Sequence, residues 1–100
     1  MNTTNIANIF KALSDKNRVE ILFLLKDKEM CACDLLENLD ISQSTLSHHM
    51  KILLSSEIVI ERKNKKWSFY HINCKKLNQA KDILDKLTCV KISDNSSCFE

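Results

Sequence analysis

The chain has 100 residues, of which 44% are hydrophobic and 28% are charged, and its formal net charge is +2. This length and composition are typical of one small globular domain. Glycine and proline are both absent, which excludes glycine-rich phosphate loops and dinucleotide-binding fingerprints. No apolar run is long enough to span a membrane and no signal segment is recognisable, so we expect a cytoplasmic protein without membrane contact.

Apolar periodicity predicts two helices in the first quarter of the chain. Thr4 is the expected N-cap of the first, and either Ser14 or Asp15 caps the second. Arg18 is expected to face solvent, and the inward residues of the second helix are Val19, Leu22, Phe23 and Leu25. After a charged break over 27–30, a short third helix is predicted over 31–39.

Residues 42–55 predict a longer helix with two contrasting faces, capped by Ser42. Its apolar stripe contains Leu46, Met50, Leu53 and Leu54, and His49 is expected to pack near that stripe. The opposite face carries hydroxyls, an imidazole and an ammonium but no carboxylate, which suits contact with a polyanion. Together with helix 31–39 it predicts a helix-turn-helix, whose expected DNA contacts are Ser42, Gln43, Ser44, Thr45, Ser47, His48 and Lys51.

A change to β-branched and aromatic residues predicts a two-stranded hairpin, with strands over 58–62 and 67–72. Asn64 is the residue expected to take a positive φ in the turn. We expect Trp67, Phe69 and Tyr70 in the hairpin core and His71 in cross-strand packing. Helix-turn-helix followed by a hairpin is a winged helix, a mainly α fold with a small β-hairpin. The basic turn predicts phosphate or minor-groove contacts from Arg62, Lys63, Lys65 and Lys66.

A last helix is predicted over 75–91, and its apolar stripe is wider than the remaining chain can cover. Because a chain of this size has a marginal core alone, we expect a homodimer. The predicted interface residues are Ile6, Ile9, Phe10, Ile83, Leu84 and Leu87. The expected organisation is one DNA-binding and dimerisation domain over 1–92 and a polar tail over 93–100.

Five cysteines in a cytoplasmic chain indicate metal or redox chemistry rather than a disulfide framework. Cys31 and Cys33 would point about 200° apart on a regular helix, so they can hold one ion only if the first turn is irregular. Soft thiolates favour As(III), Sb(III), Cd(II), Pb(II) or Zn(II). A further ligand would come from Cys89 or Cys98 of either subunit, whereas Cys74 is taken as structural.

These features resemble the ArsR/SmtB family of bacterial metal-sensing repressors across residues 8–72. The resemblance lies in the segments F-K-A-L-S-D (10–15), M-C-A-C-D-L (30–35) and S-H-H-M-K (47–51), and in Arg62-Lys63 with Lys66-Trp67 and Tyr70. It implies a homodimer that binds operator DNA when metal-free and leaves it when a thiophilic metal or metalloid ion, with As(III) favoured, binds the Cys-x-Cys.

The chain departs from the family pattern at a few positions. The family usually has proline where this chain has Lys16 and glycine where it has Glu57. Leu36 occupies the place of a third cysteine in one type of arsenic-sensing member. The absence of histidine from residues 75–91 gives no support to the family's zinc site on the last helix.

Other function classes make different demands on the same residues. A dithiol redox or persulfide sensor on the same scaffold would oxidise its cysteines instead of binding metal. A disulfide across one residue is strained, but a Cys33–Cys89 or Cys31–Cys98 bridge would remain open to such a sensor. An enzyme is not expected, because a Cys–His nucleophile pair also needs an orienting group and a pocket. A plain protein-interaction module would leave the acid-free helix face and the basic turn unexplained.

Overall fold

The computed structural model describes residues 2–88, which form five α-helices and a three-stranded antiparallel sheet. The helices are α1 (Thr3–Ala12), α2 (Lys16–Leu25), α3 (Ala32–Glu37), α4 (Gln43–Ser55) and α5 (Cys74–Thr88). The strands are β1 (Met30–Cys31), β2 (Val59–Asn64) and β3 (Trp67–Ile72), in the spatial order β1-β3-β2. None of the described helices is long and apolar enough to cross a membrane. The predicted tail over 93–100, the last residues of the predicted 75–91 helix, Cys89 and Cys98 lie outside the described residues.

Side-chain caps fix the starts of the first two helices. Of the two predicted caps of α2, Asp15 takes the position, and its Oδ1 accepts a hydrogen bond from the Asn17 backbone N–H at 2.8 Å. The predicted Thr4 cap of α1 is wrong, because Asn2 takes that position and its Oδ1 accepts from the Asn5 backbone N–H at 2.8 Å. Asparagine is the stronger N-cap residue of the two.

The hydrophobic core lies where the four N-terminal helices meet the sheet. Its fully buried side chains are Ile9, Ile21, Leu35, Leu46, Leu53, Ile58 and Val59. Two predictions are wrong here. Ile9 is 1% exposed and packs inside its own subunit, so it is not free for the dimer interface, and Phe23, expected to point inward, is 66% exposed. On α2 the core-facing residues are Ile21 and Leu25, four apart, and Phe23 lies between them on the opposite side.

The sheet has one strand more than the sequence predicts. Met30 and Cys31, expected in a charged break and at a helix start, instead pair with β3, opposite Tyr70 and Phe69 respectively. Helix α3 therefore begins at Ala32. The reason is tertiary, since β3 has a free edge opposite β2 and the backbone groups of residues 30 and 31 pair with it.

The hairpin turn is also tighter than predicted. Asn64 pairs with Trp67 as the last residue of β2, which leaves a two-residue turn of Lys65 and Lys66. The positive φ of 61° is consequently at Lys65 and not at Asn64. We refer to β2, β3 and this turn as the wing. Trp67, expected in the hairpin core, is 50% exposed, whereas Phe69 and Tyr70 are half-buried.

Helix α4 ends in a motif that normally uses glycine. The backbone N–H of Glu57 donates to Leu54 O at 3.0 Å, and that of Ile58 donates to Leu53 O at 3.2 Å. These two bonds define a Schellman motif, in which the residue just past the helix C-cap takes the left-handed conformation. Glu57 occupies that position with φ 67°. In the family that the sequence resembles, the glycine usual at this position would adopt a positive φ without a steric penalty.

Candidate functional site

Helix α4 presents a polar face without acid. Its apolar residues Leu46, Met50 and Leu53 are buried, which turns the opposite side outward. Five of the predicted DNA contacts are exposed there, namely Gln43, Ser44, Ser47, His48 and Lys51, and Thr45 is half-buried. No residue of α4 carries a carboxylate, so this helix can approach a polyanion without local repulsion.

Ser42 and Thr45 are engaged in the start of α4. The Ser42 Oγ accepts a hydrogen bond from the Thr45 backbone N–H at 3.1 Å and donates to the Thr45 Oγ1 at 2.9 Å. The Ser44 Oγ lies 3.2 Å from the same Ser42 Oγ. This cap orients the first turn, from which short polar side chains can reach base edges in a major groove.

A groove of about 490 Å³ separates α4 from the wing. Gln43, Ser47 and Lys51 line it on the helix side, while Glu61 and Tyr70 line it on the wing side. Burial raises the pKa of Tyr70, and the charge of Glu61 raises it further, so Tyr70 is a neutral hydroxyl donor at neutral pH. Glu61 was missed by the sequence analysis because the acid-free pattern was sought within one helix.

Arg62, predicted to contact phosphate or the minor groove, is held by Glu29. Its Nε donates to Glu29 Oε2 at 3.0 Å, and its Nη2 donates to Glu29 Oε1 at 2.8 Å. The Arg62 Cζ also lies 5.1 Å from the centroid of the Phe69 ring. The hydrogen bond from Arg62 is the main cause that lowers the pKa of Glu29, against the effect of burial. By contrast, Lys63, Lys65 and Lys66 are exposed and make no ion pair within residues 2–88.

The wing and the cysteine segment share one face of the sheet. Cys31 is paired with Phe69, and Phe69 is paired with Arg62. Residues directly opposite in an antiparallel sheet point to the same side, so these three side chains form one cross-strand row. His71, opposite Ile60, lies on this side too, and its Nδ1 is 3.2 Å from Glu29 Oε2. His71 therefore lies beside the Glu29 carboxylate as well as opposite Ile60.

Cys31 and Cys33 do not lie on one regular helix. Cys31 has extended backbone, with φ −87° and ψ 170°, and occupies the N-cap of α3 without a side-chain cap bond. Cys33 lies in the first turn of α3; its residue is exposed, whereas Cys31 is half-buried. The objection that a helix turns these thiols about 200° apart does not apply here. Leu36, at the place of the third cysteine, packs against the core, and Cys74 is exposed at the start of α5.

Within the described part of the chain, no three His, Cys, Asp or Glu side chains are grouped closely enough to hold a metal ion. Two thiols are present where a trigonal or tetrahedral ion requires three or four donors. A complete site built on Cys31 and Cys33 would therefore need a donor that moves on binding, or one from outside residues 2–88.

Comparison with known proteins identifies the family. Residues 15–61 match the bacterial regulatory protein family arsR. The arsenical resistance operon repressor of Staphylococcus xylosus is 47% identical over 85 residues, which are 85% of this chain and 82% of that protein. This chain belongs to the arsR family. The arsenical resistance operon repressor of Staphylococcus aureus is 44% identical over 98 residues, 98% of this chain and 90% of that protein.

The fold agrees with this family. An ArsR-like transcriptional regulator from Rhodococcus sp. RHA1 has a TM-score of 0.79 at 27% identity, covering 86% of this chain and 81% of that one. The predicted winged helix-turn-helix is confirmed. Because the family consists of DNA-binding transcriptional regulators, the predictions of a repressor and of a protein without enzymatic activity are confirmed as well.

In this arsR-family chain, helix α5 carries a partly uncovered apolar face. Leu84 is 48% exposed and Leu87 is 71% exposed, whereas Ala80 is buried. The other predicted interface residues, Ile6, Phe10 and Ile83, are half-buried. Helix α1 packs beside α5, so the two elements form one continuous surface.

Arg18 and His49 form a buried polar contact that sequence analysis missed in part. Arg18, expected in solvent, is 9% exposed, and its Nε donates to Ala12 O at 2.7 Å. Its Nη1 lies 3.1 Å from His49 Nδ1, and His49 is 5% exposed as predicted for a packed histidine. The available signal was the spacing of Arg18 with Ile21 and Leu25, the i, i+3, i+7 pattern of an inward helix face.

Proposed function

We propose that this repressor contacts operator DNA through α4 and the wing and leaves it when a thiophilic metal or metalloid ion binds Cys31 and Cys33. As(III) is the ion we favour, since relatives of this similarity are named arsenical resistance operon repressors. One observation carries the proposal. Cys31 is a strand residue paired directly with the wing, so a change at the thiol has a short path to the DNA-binding surface.

The proposed DNA surface combines two kinds of contact. The exposed polar residues at the start of α4, Gln43 and Ser44, are suited to base edges because short polar side chains there can enter a major groove. The exposed lysines of the wing turn are suited to phosphates, which fix register but carry no sequence information. Ser42 and Thr45 support this surface through the α4 cap.

The cysteine segment is joined to that surface in two ways. Holding one ion requires both thiolates at bonding distance from it, about 2.3 Å for zinc and sulfur, and we propose that ion binding moves Cys31 relative to Cys33. Because Cys31 is paired with Phe69, this movement would disturb β3 and the Arg62 side chain that lies against the Phe69 ring. Ala32, between the two cysteines, lines the groove beside α4. A movement of the cysteine segment could therefore also reach α4 through this groove.

Two parts of the proposal concern residues and subunits beyond one described chain. We propose that Cys89 or Cys98 supplies a further thiolate, because soft ions prefer sulfur ligands and two thiols leave the coordination shell open. We also propose a homodimer through α1 and α5, since Leu84 and Leu87 expose apolar surface next to α1. A dimer would place two copies of α4 on successive turns of DNA.

The redox alternative receives less support than the ion. Cys31 and Cys33 are separated by one residue, and a disulfide across so short a link is strained. Relatives named for arsenical resistance also favour an ion over an oxidant. Oxidants and persulfide are therefore kept as outcomes of the test below.

The test compares operator release by Cys31→Ser and Cys33→Ser with release by wild type. Both variants should bind operator nearly as wild type does, because neither cysteine belongs to α4 or to the wing, and both should fail to leave it on addition of As(III) or Cd(II). A tenfold weakening of operator binding by the ion requires about 1.4 kcal/mol of coupling between the two sites. The sulfur-to-metal absorption of the Cd(II) complex should disappear in the same variants.

Cys74→Ser is the matched control, since Cys74 is also an exposed free thiol but lies at the start of α5. It should respond to ions as wild type does. Release of a Cys31→Ser, Cys33→Ser double variant by the ion would show that these thiols are not the sensor. Release of wild type by oxidant or persulfide, and by no thiophilic ion, would replace the metal proposal with the redox alternative.

A further inference from the structure

We propose that His49 is a positioning residue for DNA binding: its neutral Nε2–H tautomer accepts a hydrogen bond from Arg18 and thereby sets the orientation of α4 on α2. The inference rests on the proposed DNA contact through α4. It adds a residue that does not itself face DNA, because His49 is 5% exposed.

The tautomer follows from the donor inventory of the pair. An arginine guanidinium carries only N–H donors and stays charged, so the 3.1 Å contact between Arg18 Nη1 and His49 Nδ1 requires a lone pair on Nδ1. The proton of neutral His49 is then on Nε2. That nitrogen lies 3.9 Å from Asp15 Oδ1, too far for a hydrogen bond but on the side of a negative charge.

The Arg18 side chain connects three elements. Its Nε bonds to Ala12 O at the end of α1, its own backbone belongs to α2, and its Nη1 reaches His49 on α4. The hydrogen-bonded carboxylate of Asp15 lies close to His49 as well, with its Oδ1 3.9 Å from His49 Nε2. Burial opposes its ionisation, but the hydrogen bonds from the backbone N–H groups of Asn17 and Arg18 and the electrostatic effects of the His49 and Arg18 side chains together lower the pKa of Asp15. A buried cation beside a charged carboxylate and two fixed acceptors has few alternative positions.

The hydrogen bond between Arg18 and His49 restricts the orientation of α4 more than its apolar contacts do. Leu46, Met50 and Leu53 bury the helix, but burial of apolar surface is non-directional and allows small rotations and shifts. A hydrogen bond weakens steeply when its angle changes. His48 precedes His49 and is exposed on the proposed DNA face, and the two ring centroids are 5.7 Å apart. A rotation of α4 would therefore move His48 and its neighbours relative to DNA.

The deciding experiment compares His49→Asn with His49→Leu in the full chain. The Oδ1 of asparagine can take the place of Nδ1 as acceptor, whereas leucine is of similar size and has no acceptor. At equal folded fraction, His49→Leu should weaken operator binding by about tenfold to a hundredfold, because a donor of the Arg18 cation is left unpaired. Its binding to unrelated duplex DNA should change little. His49→Asn should bind operator within about threefold of wild type, less than one lost hydrogen bond.

Two results would overturn the inference. One is operator binding by folded His49→Leu equal to that of wild type, and the other is binding by His49→Asn as weak as that of His49→Leu. Should His49→Leu fail to fold, nitrogen NMR of wild type decides, because a proton on Nδ1 of His49 contradicts the bond and one on Nε2 alone supports it. Gln43→Ala tests the proposed DNA surface separately from the role of His49. If Gln43→Ala binds operator as wild type does, the DNA surface is misplaced. The tautomer of His49 would still test its contact with Arg18.

Discussion

Glu57 has a backbone conformation that is sterically unfavourable for a residue with a side chain. It takes φ 67° at the end of α4, and for a residue with a Cβ atom the left-handed region costs roughly 1–2 kcal/mol. The surrounding structure holds it there, since Asn73 Nδ2 donates to Glu57 O at 2.9 Å and Lys76 Nζ lies 3.2 Å from its Oε1. The chain tolerates this strain where a glycine would avoid it.

We predict that Glu57→Gly is more stable than Glu57→Ala by about 1 kcal/mol. Both variants lose the ion pair with Lys76 and keep the backbone acceptor of Asn73, so their difference isolates the Cβ atom. Thermal or urea unfolding measures it. A glycine variant less stable than the alanine variant would mean that loss of unfolded-state entropy outweighs the relief of strain.

Arg62 can bind Glu29 and a DNA phosphate at the same time. Arg62 is 49% exposed in its side chain although its Nε and Nη2 are both bonded to Glu29. Its Nη1 makes no hydrogen bond within the described residues. Arg62 can thus approach a phosphate while Glu29 holds the rest of its guanidinium, but removing Arg62 would also remove the hydrogen bonds that the Glu29 carboxylate accepts from it. Lys63, without an ion pair in residues 2–88, is the cleaner residue for testing the wing.

At the scale of elements, α4 and the wing have separate tasks in the proposed complex. A helix that enters a groove discriminates between bases, whereas a basic turn neutralises phosphates of any sequence. The groove between them adds a carboxylate and a neutral hydroxyl, from Glu61 and Tyr70. The two tasks predict two different signatures on mutation.

We predict that Gln43→Ala reduces discrimination between operator and mismatched DNA by about 1–3 kcal/mol per lost base contact. Lys63→Ala should weaken binding to all sequences alike and reduce the slope of log K against log salt by about 1. Titrations of both variants at several salt concentrations check this. An equal loss on all sequences for Gln43→Ala, or a sequence-dependent loss for Lys63→Ala, would show that the two tasks are assigned wrongly.

At the scale of the whole molecule, the chain buries a core in the helices and sheet but leaves apolar surface on α5. Leu87 is 71% exposed and Leu84 is 48% exposed. Contiguous exposed apolar side chains are typical of an interface. A symmetric dimer would cover this surface and double the number of contacts to DNA.

We predict that Leu84→Glu and Leu87→Glu shift sedimentation toward the mass of a monomer and lower operator affinity with it. The reason is that each would bury an unpaired charge in the proposed interface. Phe23→Glu is the matched control, since Phe23 is 66% exposed on α2, and it should leave the mass unchanged. A wild type that sediments as a monomer at micromolar concentration, or a loss of mass with Phe23→Glu alone, would contradict this interface.

The sequence by itself determined the elements that depend on neighbouring residues. Helical spacing located the first two helices and α4, and alternation located the two long strands of the wing. Ser42 marked the start of α4, and the start of α2 was narrowed to a cap at Ser14 or Asp15. Short motifs around Cys31, His48 and Arg62 were enough to indicate the family. These signals are local because helix and strand periodicities, and side-chain caps, act within a few residues.

Only the tertiary structure decided what the functional residues touch. Glu29 meets Arg62 across 33 residues of chain, and Arg18 meets His49 across 31, so no local pattern could report either contact. The pairing of Cys31 with β3 likewise depends on a strand edge formed about 40 residues later in the chain. At residue 31, backbone hydrogen bonds to that edge replace the helical conformation that the sequence predicts. Contacts between distant segments are set by the packing of the whole domain, and that packing placed Cys31, expected at the start of a helix, in a strand joined to the wing.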